Sequence, residues 1–200
     1  MLSHIARKLS PPRVVAIVLA LTAAVLLSLL PTWRAQAATP TPAPATEAEA
    51  VSSTPGQPGR VLLLGRIARP LRLTVADLAS KYPQHTQTVT FASAAGQQTH
   101  TYTGPLLYDV LQAARPSFRA DVKNDALRYA AVVHASDGYE SVVSWGEIAP
   151  GFAGSASLLA VTEDGASLAT TGPRLTAPDD TKGGRYVSGV TAVLLARVGL

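Results

Sequence analysis

Polar and apolar residues alternate along two neighbouring stretches near the middle of the chain. The stretches read TQTVTFAS and QQTHTYT, and they are joined through AAGQ. Alternation with a period of two predicts β-strands that each bury one face, and a short glycine-containing link between such strands predicts a hairpin. The pattern therefore predicts a β-hairpin that ends at the segment YTG.

Helical spacing of apolar residues appears in two further stretches, LTVADLASKYP and GPLLYDVLQAARP. In the first, Thr74 and Asp77 have the spacing of a capping box. In SWGEI a second box of Ser144 and Glu147 predicts one helical turn. The prolines fit the first turn or the end of each helix. We therefore interpret Asp77 and Glu147 as helix caps rather than catalytic acids.

The remaining apolar stretches predict strands. RVLLLGRI opens the series, LRYAAVVHASDGYESVV turns at Asp137, SLLAVTEDGASL turns at Asp164, and GPRLTAP is a short strand. The run RYVSGVTAVLLARV is almost entirely apolar, which predicts a strand buried on both faces. Many strands with three short helices and no regular βαβ alternation predict an α+β fold with a mixed β-sheet.

The beginning of the chain has a different pattern. Arg7, Lys8 and Arg13 precede an apolar run over residues 14–30, and AQA follows at residues 35–37. This order predicts a signal peptide over residues 1–37, cleaved after Ala37, and a periplasmic or secreted protein. The alternative is an uncleaved anchor, because the run is only slightly shorter than a membrane span. In that case the N-terminal segment is the only expected contact with a membrane.

Composition separates a linker from the folded part. Residues 38–59 are rich in Pro, Ala, Thr and Ser, which predicts a disordered linker and leaves residues 60–200 as one domain. Four of the 17 basic residues and none of the 13 acidic residues precede the predicted cleavage site, so the exported chain carries 13 of each. This neutral balance gives no support for nucleic-acid binding. The chain has no cysteine and therefore neither disulfides nor thiolates.

Familiar catalytic motifs are absent from the sequence. It contains no GxSxG, GxxxxGK[ST], GxGxxG or HExxH, which argues against serine hydrolases, nucleotide hydrolases, dinucleotide enzymes and zincins. His85, His100 and His134 have no metal-ligand spacing, so we expect them to face solvent or close turns. His100 is kept as a candidate because it lies beside the YTG joint.

The stretch PDDTKGGRYV contains Lys182, Gly183, Gly184 and Arg185. Two glycines free the backbone to direct its amides inward, and two cations flank them, which is the composition of an anion-binding nest. A plain loop with solvated charges has the same composition. The residues alone leave both interpretations open.

Six stretches in order resemble the molybdopterin-binding domain of the sulfite oxidase family, over residues 72–197. They are LTVADLASKYP, TYTGPLLYDVLQAA, ASDGYESVVSWGEI, LLAVTEDGASL, GPRLTAP and GGRYVSGVTAVLLAR. The resemblance implies the family fold and molybdopterin as a possible cofactor. It implies that Lys182, Gly183, Gly184 and Arg185 contact the pterin phosphate, that Tyr139 holds a family position, and that YTG is a scaffold joint.

Two departures from the family change the expected chemistry. Family enzymes ligate molybdenum through a cysteine in the segment that matches TVTFASAAGQQ, and the hydroxyl of Ser93 is a poorer ligand for such a soft site. Val161 stands where sulfite oxidases have an active-site tyrosine. We therefore expect an exported domain that binds a pterin or another anionic small molecule without molybdenum chemistry. The alternatives are an active molybdenum oxidoreductase with a non-cysteine ligand and a partner-binding or sensory module with no small-molecule ligand.

Overall fold

Eleven strands and three α-helices follow one another in residues 59–199, the part of the chain that this computed structural model describes. The predicted signal peptide and almost all of the predicted linker lie outside the described residues. The strands are β1 (Arg60–Gly65), β2 (Leu71–Thr74), β3 (His85–Ser93), β4 (Gly96–Gly104), β5 (Tyr129–Ala135), β6 (Glu140–Ser144), β7 (Leu159–Ala160), β8 (Thr162–Glu163), β9 (Ala166–Ser167), β10 (Arg174–Leu175) and β11 (Val190–Arg197). The helices are α1 (Val75–Lys81), α2 (Leu107–Ala113) and α3 (Trp145–Ile148).

Five strands form the main sheet, in the order β2-β1-β11-β5-β6. β1 pairs with β11 in parallel, and the other three pairings are antiparallel. The sheet is therefore mixed, and the predicted α+β class with few short helices is confirmed. Among the described residues, no helix has the length and apolar character to cross a membrane.

The main hydrophobic cluster lies on one face of this sheet. Fully buried side chains from alternate strand positions meet the apolar faces of all three helices there, among them Leu63, Val133, Val193, Leu78 and Leu107. Burial of a side chain of this size contributes roughly 1.5 to 3 kcal/mol relative to exposure. This cluster therefore provides the main apolar stabilisation of the fold.

The prediction that the last strand is buried on both faces is wrong. Val193 and Leu195 are fully buried, but Ala192 and Leu194 on the opposite face are only half-buried. The strand is central and its sequence is apolar, yet the second face packs into neither hydrophobic cluster. The apolar sequence therefore predicted the central position of β11 correctly, but it predicted the burial of the second face incorrectly.

β3 and β4 form the predicted hairpin, with Ser93 paired to Gly96 at its tip and His85 to Gly104 at its base. β8 and β9 extend this second sheet and are joined by the predicted turn, in which Asp164 and Gly165 both have positive φ, 51° and 79°. Two such residues are typical of a type I′ hairpin turn. A second, smaller cluster of buried residues lies beneath this sheet: Val89, Phe91, Tyr102, Leu158, Ala160, Ala177 and Tyr186.

The YTG joint lies where the end of β4 meets β7, which pairs with β10 in a separate two-stranded sheet. A Cβ atom on Gly104 would lie 2.4 Å from the Leu159 carbonyl oxygen and 2.6 Å from the Ala160 Cα atom. Leu159 N also donates a hydrogen bond to the Pro105 carbonyl (2.9 Å). Glycine is therefore required because the end of β4 touches the backbone of β7.

Both predicted capping boxes are confirmed. Asp77 N donates to Thr74 Oγ1 (3.0 Å) while Thr74 N donates to Asp77 Oδ2 (2.8 Å), and the Ser144 and Glu147 pair repeats this exchange at 3.2 and 2.7 Å. Lys81 reinforces the first box by an ion pair with Asp77 (2.7 Å). Each of these carboxylates thus has a structural role at the start of a helix.

Candidate functional site

A pocket of about 510 Å³ lies between the tip of the β3–β4 hairpin and the loop that precedes β11. Ala92 N donates a hydrogen bond to the Thr181 carbonyl (2.9 Å), which holds the loop against the end of β3. The lining residues are Phe91, Ala92, Ser93, Ala94, Arg174, Lys182, Gly183, Gly184 and Tyr186. Two segments that the sequence analysis considered separately, the one around Ser93 and the Lys182 loop, therefore form one site.

Aromatic rings form one wall of the pocket. Phe91 and Tyr186 stack with their centroids 4.2 Å apart, and only 6% and 8% of their surfaces are exposed. Tyr102 lies behind them, 6.2 Å from the Tyr186 ring. Burial raises the pKa of Tyr186 to about 12, so its phenol is neutral at physiological pH. The two rings are therefore largely covered, and the small part of them that reaches the pocket is uncharged.

Gly183 and Gly184 belong to a 3₁₀ turn, Gly183–Arg185, and neither has a positive φ. A Cβ atom on Gly183 would lie 2.7 Å from Phe91 Cδ2, whereas a Cβ atom on Gly184 would meet nothing within 4 Å. Gly183 is therefore needed so that the backbone can lie on the Phe91 ring. The structure gives this glycine a packing role that differs from the backbone freedom we inferred from the sequence.

Lys182 is exposed at the edge of the pocket. Its ammonium group forms no ion pair with any residue in the range 59–199. A lysine with no internal partner keeps its charge available to a ligand. Lys182 is thus the cation of the predicted set that the geometry leaves open to an anion.

Arg185 has a different environment. Its Nε and Nη2 atoms donate to the two carboxylate oxygens of Asp180 (2.8 and 2.6 Å), and Nη1 donates to Glu147 Oε1 (2.5 Å). These bonds raise the pKa of Arg185 and lower that of Asp180. Burial acts to raise the pKa of Glu147, but hydrogen bonds from Arg185 and Ser144 outweigh it and keep that pKa low. Arg185 therefore connects the loop to α3, and its role in anion binding stays a prediction.

Tyr139 is outside the pocket lining and supports the loop from one side. Its side chain is 47% exposed, and its hydroxyl donates a hydrogen bond to the Gly184 carbonyl. Its backbone N–H donates to Asp137 Oδ1 (2.9 Å), which fixes the preceding turn. The structure thus brings Tyr139 to the predicted loop as a support.

His100 lies on β4 behind the aromatic wall and does not line the pocket. Its Nδ1 atom is 2.7 Å from Asp164 Oδ2 and 3.5 Å from Glu163 Oε1. The three side chains are close enough to hold a metal ion, but both carboxylates already accept protein hydrogen bonds, from Thr101 N (2.8 Å) and Tyr102 Oη (2.9 Å). The Thr101 N–H and the His100 side chain lower the pKa of Asp164. These contacts connect β4 to the β8–β9 turn.

Arg174 is a lining residue that the sequence analysis missed. It donates to Glu163, to Tyr102 Oη (3.1 Å) and to Ser188 Oγ (2.5 Å). Arg174 belongs to a two-residue strand, and its partners come from three other parts of the chain. Alternation along β3 pointed to a buried Phe91, but no local pattern could place Arg174 or Tyr186 beside it.

Comparisons with known proteins give matches among solved structures. No protein-family model matches the chain, and no curated protein matches it. The solved structure of the sulfane dehydrogenase SoxCD from Paracoccus pantotrophus is similar at 19% sequence identity with a TM-score of 0.54. The match covers 68% of this chain and 37% of that one. The fold is thus distantly similar to part of the fold of that dehydrogenase. At this identity the likeness concerns the fold alone.

The two departures from the sulfite oxidase pattern have clear structural roles. Ser93 Oγ donates to the Gly96 carbonyl (3.1 Å) and accepts from Ala95 N (3.1 Å), so it closes the hairpin turn. Val161 is 5% exposed and belongs to the main hydrophobic cluster. Val161 thus offers no reactive group, and the Ser93 hydroxyl is already hydrogen-bonded within the turn.

The lining residues do not fit a molybdenum centre. The metal in such sites prefers a thiolate, and the side-chain oxygen and nitrogen atoms of the lining residues belong to two hydroxyls, of Ser93 and Tyr186, and to two cations, Lys182 and Arg174. The same residues do fit an anion, because Lys182 supplies positive charge beside an aromatic wall. The pocket therefore suits an organic anionic ligand better than a metal.

Proposed function

We propose that this protein is an exported small binding module with a sulfite-oxidase-like fold, which binds a pterin or another anionic ligand without molybdenum chemistry. One observation supports this proposal above all. The pocket combines the stacked Phe91 and Tyr186 rings with the ammonium group of Lys182, which has no ion-pair partner among the described residues. A ligand with a flat ring and a phosphate group matches both features.

The physical reasons are the usual ones for small-molecule sites. Such pockets are mostly apolar and contain a few polar groups that orient the ligand. A planar heterocycle gains contact area against an aromatic wall, and a phosphate gains a charge-assisted hydrogen bond from an ammonium group. A pterin phosphate has both parts, which is why we place it first among the anionic ligands.

The two other functions differ from this proposal in what they need. A molybdenum oxidoreductase with a non-cysteine ligand would need a donor such as Ser93, whose hydroxyl already makes two hydrogen bonds in the hairpin turn. A partner-binding or sensory module without a small ligand would need no pocket. Metal content and ligand binding therefore separate the three functions.

We expect the protein to contain no stoichiometric molybdenum when it is purified from a host that makes the cofactor. The reason is that the chain contains no cysteine to complete the metal site. Elemental analysis gives the metal content, pterin fluorescence shows whether the organic part is bound, and a dye-reduction assay tests sulfite oxidation. One molybdenum per chain together with sulfite-dependent dye reduction would contradict the proposal.

We expect Lys182→Ala to weaken binding of neopterin monophosphate about fivefold, as suits one exposed charge interaction. Fluorescence titration measures the affinity. Lys123→Ala is the matched control, because Lys123 is an exposed lysine that does not line the pocket. Unphosphorylated neopterin should bind the native protein and the Lys182 variant equally. Equal effects of the two lysine substitutions on the phosphate ligand would rule out a role for this pocket.

A further inference from the structure

The outer face of the main sheet, opposite the main hydrophobic cluster, is apolar across four strands. The pairing register aligns Leu64, Leu194, Val132 and Val142 in one row from β1 to β6. None of these four side chains belongs to either hydrophobic cluster, and Val142 is 52% exposed. In an antiparallel sheet, side chains on a face that is exposed to water are usually polar.

A second row on the same face carries opposite charges at its two ends. Arg72 on the edge strand β2 is aligned through Leu62, Ala192 and His134 with Glu140 on the other edge strand, β6. Both end residues are exposed. Within this row, His134 Nδ1 lies 2.6 Å from Glu140 Oε1, and the Glu140 side chain is still 57% exposed. The outer face thus has mostly apolar side chains at its centre, a cation at one edge and a histidine–carboxylate pair at the other.

We propose that this outer face is the interface of a two-fold symmetric dimer of the chain. This inference does not depend on the proposed ligand. A symmetric interface must be self-complementary, so each group must find its partner on the same face of the second copy. The charges at the two edges satisfy this requirement in one orientation.

That orientation follows from the strand order. β11 is the middle strand of the five. A two-fold axis that runs parallel to the strands over β11 places β2 of one copy opposite β6 of the other. Arg72 then faces Glu140 of the second copy twice, and Leu194 faces Leu194. An axis perpendicular to the strands would instead place Arg72 opposite Arg72, which is unfavourable.

The size of the face sets the strength that we expect. Five strands spaced about 4.8 Å apart span roughly 19 Å, which is less than the roughly 28 Å side of a square of about 800 Å², the area that each partner buries in a standard stable interface. The dimer should therefore dissociate on dilution. Sedimentation velocity of the exported protein over a wide concentration range measures this equilibrium.

Val142→Lys should abolish the dimer, because it places a charge in the apolar row. The side chain is exposed in the single chain, so the melting temperature of the monomer should not change. Phe152→Lys is the matched control, since Phe152 is exposed to a similar extent (49%) and lies outside the sheet. It should leave the dimer intact.

Charge exchange tests the orientation. Arg72→Glu and Glu140→Arg should each weaken the dimer several-fold, and the double variant should restore it. An exported protein that stays monomeric at every concentration overturns the proposal. This holds also if a shortened chain without residues 38–58 dimerises, because that segment then covers the face. A dimer that tolerates Val142→Lys, or single charge variants that the double variant does not rescue, also overturns it.

Discussion

At the scale of single residues, Gly183 and Gly184 are neighbours with very different surroundings. We expect Gly183→Ala to lower the free energy of unfolding by about 1 to 3 kcal/mol, because the new methyl group meets the buried Phe91 ring. Gly184→Ala should leave it unchanged or raise it by up to about 1 kcal/mol, since the position is open. Urea unfolding measures both. Equal losses in the two variants would show that the loop does not lie on the ring.

Residues with local partners could be predicted from the sequence, and residues with distant partners could not. Thr74 and Asp77 are three positions apart, so their capping box was visible in the sequence. The partners of Arg185 are Asp180, which is near, and Glu147, which is far along the chain. Its charge and position in the loop were therefore predicted, but the two carboxylates that neutralise it were not.

At the scale of elements, Arg185 connects the 3₁₀ turn to the first turn of α3 through its ion pair with Glu147. We expect Arg185→Gln to destabilise the protein by about 1 kcal/mol near pH 7, a modest loss because these side chains are partly exposed. Arg119→Gln is a suitable control, since Arg119 pairs with Asp121 in a much more exposed ion pair. It should have almost no effect.

The same ion pairs predict a dependence on pH. The pKa values of Asp180 and Glu147 are lowered in the folded state, so their contribution is complete above the ordinary values of 3.8 and 4.5 and is lost as pH falls through the lowered values. The difference between Arg185→Gln and the native protein should therefore shrink in acid. Urea unfolding at neutral and acidic pH measures it. A difference that grows in acid would contradict the assignment.

Elements with a strong period were predicted with their buried faces, whereas the short strands were predicted without them or were missed. The β3–β4 hairpin was evident because nine residues on each strand alternate around a glycine turn. The strands β2 and β7 have four and two residues, too few for any period to appear. The strand of Arg174 was predicted from GPRLTAP, but with two residues it has no period that shows which side chain faces the pocket. This is why the loop was predicted and the complete wall was not.

At the scale of the whole molecule, the order of basic, apolar and AQA segments leads us to expect an exported chain that begins at Ala38. N-terminal sequencing of the protein from the periplasm or the medium tests this expectation. An Ala37→Leu variant should slow cleavage, because the peptidase selects small residues there. Recovery of an intact chain beginning at Met1 from membranes would favour the anchor instead.

The parallel pairing of β1 with β11 joins the first described strand to the last one. A ribosome adds about 5 to 20 residues each second, so β11 is made on the order of ten seconds after β1. β5 also lacks one of its neighbours until then, because β11 lies between β1 and β5 in the sheet. During that time the apolar side chains of β1 and β5 are open to chaperones. The five-stranded sheet can therefore close only after β11 has left the ribosome, whereas local pairs such as β3 with β4 do not depend on it.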